Sequence, residues 1–117
     1  MNKIGELINV PEITKGCREL NVHELMVTLR WDVMKFWSWG SHAFTVDAKP
    51  NTRMFRFTVN GHHHKGYVYI CVNGLDLYDV YLTSNRGTIK LIGEGLYCDM
   101  LTDWIDTKVE RISDYAR

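Results

Sequence analysis

The sequence predicts an α+β domain: an N-terminal helix, a five-stranded antiparallel meander and a C-terminal helix packed on the sheet. Three observations carry this. Apolar residues recur at helical spacing over 21–37, and β-rich runs separated by short turn signals fill 42–92. A second amphipathic helical pattern occupies 96–113. At 117 residues and 45% apolar content, the chain suits one domain that buries roughly two thirds of its unfolded surface. Residues 1–20 show no sustained period and are expected to be irregular.

The first helix starts at Asn21, whose side chain can cap the opening turn, and Glu24 three residues on completes a capping-box signature. Val22, Leu25, Met26, Leu29, Val33 and Phe36 define one apolar face, and "SWGS" after Trp37 supplies a stop. Val27, Trp31 and Met34 form a second apolar row. A helix with two apolar faces is either sandwiched or part of an interface.

In the middle, "HAFTVDA" and "RMFRFTV" flank the turn signal "KPNT". "GYVYICV" and "LDLYDVYL" flank Asn73-Gly74, a two-residue hairpin signal, and "SNRG" leads into "TIKLI". Short loops require antiparallel neighbours, because parallel strands need long crossovers. "GEG" closes the sheet region. In the last helix Tyr97, Leu101, Trp104, Ile105, Lys108 and Ile112 line the inner side. Asp99, Asp103, Asp106 and Glu110 make an acidic stripe opposite.

Basic and acidic residues balance at 14 each, so no global field draws the chain to nucleic acid or an anionic membrane. The N-terminal stretch lacks the pattern of a signal peptide, and no apolar run is long enough to span a bilayer; a cytoplasmic protein without membrane contact is expected. Cys17, Cys71 and Cys98 have neither disulfide-framework nor zinc-knuckle spacing and are expected to be reduced.

The stretch "NGHHHKG" is the clearest candidate for chemistry. If Asn60-Gly61 is a two-residue turn, Val59 pairs with His62 and Phe57 with His64, which puts both imidazoles on the face of Val68 and Ile70. His42 shares that parity from the neighbouring strand, so His42, His62 and His64 could hold one zinc, with an aspartate as an alternative third ligand. The plainer reading is a solvated polar loop with no cofactor, and it is preferred because no general-base glutamate or paired cysteines accompany the histidines. Asp99 with Asp103, or Asp103 with Asp106, has cation-binding spacing but reads better as a solvated helix face.

"KGYVYICV" resembles the RNP1 pattern of RNA-recognition motifs, with Lys65, Gly66, Tyr67, Tyr69 and Ile70 fitting in kind. The resemblance implies base stacking on Tyr67 and Tyr69, with Lys65 and Arg86 as phosphate contacts. It covers eight residues, Val68 and Val72 depart from the pattern, and the expected order of elements is not that of the family. Without the motif, both sheet faces still read as apolar, with Tyr67, Tyr69 and Tyr78 expected on one of them. Together with Val27, Trp31 and Met34, these tyrosines suggest a homodimer or protein-partner surface, preferred over nucleic acid. "FWSWG", "NGHHHKGYVYI" and "YCDMLTDWID" look similar to short uncharacterised proteins of gut Bacteroidetes and their phages or mobile elements. That resemblance implies a small accessory or inhibitor protein and carries no site to transfer. A non-catalytic binding protein is expected.

Overall fold

The computed structural model describes residues 3–20, 22–30, 42–46, 53–61 and 64–109. The elements are α1 (Val10–Thr14), α2 (Val22–Arg30), β1 (His42–Val46), β2 (Phe55–Asn60), β3 (Lys65–Val72), β4 (Tyr78–Thr83), β5 (Ile89–Leu96) and α3 (Cys98–Val109). The architecture is α+β, with an antiparallel sheet and a C-terminal helix. Strands β2 to β5 pair in sequence order, and β1 lies along the outer edge of β2 through His42↔Thr58, Thr45↔Arg56 and Val46↔Phe55.

Each hairpin takes its register from its loop. Between β2 and β3 the last pair is Asn60↔Lys65, so the loop is Gly61–His64, closed by the Gly61 amide donating to the His64 carbonyl at 3.0 Å. The expected two-residue turn at Asn60-Gly61 is therefore wrong. Val59 faces Gly66 and Phe57 faces Val68. The slip from the expected pairing is an even number of residues, so each side chain keeps its expected face.

Between β3 and β4 the slip is odd. Val72 pairs with Tyr78, leaving Asn73–Leu77 as the loop in place of a two-residue Asn-Gly turn. The Asn73 carboxamide oxygen accepts from the Leu75 and Leu77 amides at 2.8 and 3.2 Å. Its nitrogen donates to Asp79 Oδ1, which also accepts from the Gly95 amide, both at 3.0 Å. Asp76 supplies the left-handed residue, at φ 67°. An odd slip exchanges the faces of β4 relative to β3.

Phe55, Phe57, Val59, Val68, Ile70, Val80 and Leu82 face the helices, where Leu25 and Leu29 of α2 meet Leu101, Ile105 and Val109 of α3. Thr102 ties the two helices by donating its hydroxyl to the Thr28 carbonyl at 3.1 Å. The inner side of α3 differs from expectation: Tyr97 and Lys108 are exposed, while Asp106, placed on the acidic stripe, is buried. Of the helix expected over 21–37, Val22–Arg30 is described; Trp31 and Met34, like Ile112, lie outside the described residues.

The N-terminal stretch expected to be irregular is structured. Glu6 and Gly5 exchange backbone hydrogen bonds with Ile89, each at 2.8 Å, and Ile8 donates to Gly87 at 2.8 Å. Asn9 caps α1 by accepting from the Glu12 amide at 3.2 Å, with Pro11 in the first turn. Past α1, Arg18 bridges to Val72 and donates its amide to the Val72 carbonyl at 2.8 Å. A five-residue helix offers too little hydrophobic period to be read from sequence. It forms because Ile8, Val10, Ile13 and Cys17 pack on Met54, Tyr69 and Cys71, on the sheet face opposite α2 and α3.

Strand β5 runs to Leu96, so the "GEG" expected to close the sheet lies within it. Gly93 is there because Trp104 lies on it: a Cβ at this position would sit 2.6 Å from Trp104 Cζ2. Gly93→Ala is expected to cost about 1–3 kcal/mol by overpacking. In a Trp104→Ala background the same substitution should cost much less, which chemical denaturation of the four proteins of the cycle measures.

Candidate functional site

Helix α3 presents a stripe at i, i+4 and i+7, Met100, Trp104 and Thr107, along a shallow groove whose apolar floor continues into Leu96 at the end of β5. Asp99 borders the groove at the helix start, Asp103 at its middle and Lys108 at its end. Asp99 and Lys108 each stand at the helix terminus whose dipole favours them. Met100 is 44% exposed and the neighbouring Tyr97 60%. Trp104, held from below by Gly93, combines a fixed ring with a partly open edge, the usual makeup of an anchoring residue. The periodicity of 96–113 makes the helix legible and places Trp104 against the core, where it packs, but Lys108 is exposed and the groove has no signal in the sequence.

The tyrosines do not form one open face. Tyr69 pairs with Tyr81 and Tyr67 with Thr83, so Tyr67, Tyr69 and Tyr81 share the side covered by α1. Tyr78, expected beside Tyr67 and Tyr69, lies on the opposite side, half-buried against the main core. The odd loop is the cause, and it also explains why Tyr81 was overlooked. Tyr69 is buried. Tyr67 meets it edge-on at 6.2 Å, and the Arg56 guanidinium sits 4.7 Å above the Tyr67 ring. Burial, followed by nearby Cys71 and Asp79, pushes the Tyr81 hydroxyl up to about 12. Burial likewise pushes Tyr78 up. In this arrangement Tyr67 and Tyr69 are not a free stacking platform, because an arginine covers one ring and α1 covers the other. Lys65 and Arg86 are exposed, at the start of β3 and in the β4–β5 loop. Val27 is exposed on α2 at 53%.

Of the histidine set, His64 ends the β2–β3 loop instead of standing in a strand; His62 and the side chain of His42 lie outside the described residues. Among the described residues no three histidine, cysteine or carboxylate side chains converge to hold a metal. His64 is half-buried, and its Nε2 is shielded from solvent with no hydrogen-bond partner among the described residues. Burial lowers its pKa, partly offset by the backbone of Tyr67 and Thr83. No helix among the described residues is long and apolar enough to cross a membrane.

Comparisons with family models, curated proteins and solved structures find no match to the chain.

His64 makes the fold pH-sensitive in a definite direction. Its folded pKa lies below the ordinary 6.5, so on acidification the unfolded chain takes up the proton first. The contribution of neutral His64 is therefore complete above that value and is lost as pH falls below it. The denaturation midpoint is expected to drop between about pH 7.5 and about pH 5.5, and to drop less in His64→Gln. Equal slopes for the two proteins would contradict this role.

Proposed function

We propose that the protein is a small, non-catalytic binding protein of accessory type, acting on a protein partner through the apolar groove of α3, and that the partner seated there is a second copy of the chain. This reading keeps the protein-partner expectation and moves its surface from the tyrosines to Met100 and Trp104. The carrying observation is the order of charges along the groove, Asp99 at the helix start and Lys108 in its last turn, with the apolar Met100 and Trp104 between them. A two-fold axis near Trp104 running two α3 helices antiparallel sets the Lys108 end of one copy over the Asp99 end of the other, twice over. Lys108 stands nine positions after Asp99 on the helix, roughly 13 Å at 1.5 Å per residue. That span accommodates the paired Met100 and Trp104 side chains between the two charge pairs. Methionine adapts its shape to an apolar partner, and tryptophan supplies the larger buried area. The expectation that the protein belongs to a phage or mobile element fits a small module of this kind and rests on the sequence resemblance alone.

Sedimentation velocity across the micromolar range tests the proposal. The protein is expected to dimerise reversibly, and Met100→Glu, an exposed substitution that leaves the core untouched, should yield a monomer. Lys108→Glu should weaken the dimer about tenfold, and adding Asp99→Lys should recover most of the loss; tenfold corresponds to about 1.4 kcal/mol. A monomer at every concentration, or a dimer indifferent to Met100→Glu, would overturn it.

A further inference from the structure

We propose that Cys17 and Cys71 are a disulfide-forming pair that fastens the N-terminal segment across the tyrosine face of the sheet. The inference is independent of the α3 groove. The Arg18↔Val72 bridge is antiparallel, so the residues flanking it, Cys17 and Cys71, point to the same side. That side is the small apolar cluster of Met54, Tyr69 and Cys71, into which Cys17 packs. The two thiols are close enough to perturb each other's ionisation, and Cys17 Sγ donates to the Ile13 carbonyl at 3.1 Å.

Diagonal positions across an antiparallel bridge stand about 7–8 Å apart at Cα, against about 5.5–6 Å in a cystine. Closure therefore draws Cys17 inward. Cys17 lies in the turn between α1 and the bridge, outside regular structure, where such a shift is least costly. Cys17 is half-buried and Cys71 fully buried, so a small oxidant reaches Cys17 first and Cys71 resolves the adduct. With glutathione disulfide, the Cys17 thiolate attacks one sulfur and expels one glutathione thiolate. Cys71 then loses its proton to solvent and attacks Cys17 Sγ, expelling the second. Two protein thiols and one small disulfide become one protein disulfide and two small thiols. Burial pushes both protein thiols upward, which makes the exchange slow at neutral pH and faster in mild alkali.

The test uses Cys98→Ser, which removes the exposed third thiol. The folded protein is incubated with glutathione disulfide at about pH 8.5, near the ordinary thiol pKa, and then alkylated and weighed. The expected product is lighter by two hydrogens, carries no glutathione and gives a Cys17–Cys71 cross-linked peptide. It also melts at a higher temperature, reversed by dithiothreitol, because the bond constrains the unfolded chain between residues 17 and 71. A stable glutathione adduct on Cys17 with Cys71 still open to alkylation, a disulfide-linked dimer, or thiols that react only in urea would each overturn the proposal.

Discussion

Strand β3 has no wet side, and the rest of the structure follows from that. Its successive residues Val68, Tyr69, Ile70 and Cys71 are all buried, so apolar groups leave both faces of the sheet at its centre. A sheet in water can leave one face exposed only where that face alternates to polar residues. Here each face needs a cover, and each apolar side chain left uncovered would forgo about 1.5–3 kcal/mol.

The chain provides two covers of unequal thickness. On one side α2 and α3 close the main core with Leu25, Leu29, Leu101, Ile105 and Val109. On the other, a five-residue helix and its flanks close a smaller cluster. The thin cover has little apolar area, and the backbone holds it at both ends: to the start of β5 and the loop before it through Gly5, Glu6, Leu7 and Ile8, and to β3 through Arg18. The Arg53 guanidinium adds a bond to the Thr14 carbonyl at 3.4 Å, and that of Arg18 bonds the Gly74 carbonyl at 3.2 and 3.3 Å. With both sheet faces covered from within the chain, the outward side of α3 is the surface on which the proposed self-association rests.

The antiparallel α+β plan was legible because period-two apolar runs and short turn signals are strong local cues, and the C-terminal helix because its apolar period is long. The faces are legible only where the loop length has the parity that local turn signals imply. The histidine loop is longer than expected by an even number of residues and left β3 facing as predicted. The Asn73–Leu77 loop is longer by an odd number, which moved Tyr78 into the main core and Tyr81 to the side of Tyr67 and Tyr69. Local composition favoured the Asn-Gly turn; the bonds from Asn73 and Gly95 to Asp79 override it, and they join positions too far apart in sequence for turn chemistry to reveal. Likewise α1 is set by tertiary packing on Tyr69 and Cys71, and the burial of Asp106 by the packing of α3 on the core. Periodicity alone determines neither.

The central claim is that residues 5–18 are an integral layer of the fold and not a loose leader. Native-state hydrogen exchange reads this directly, since the Gly5, Ile8 and Arg18 amides donate to the carbonyls of Ile89, Gly87 and Val72. These three amides should be protected well above unstructured-chain rates and should open in one step with the Tyr69 amide, as parts of one cooperative unit. Exchange of all three at unstructured-chain rates while β3 stays protected would mean that the tyrosine face stands without this cover, and the account would be wrong.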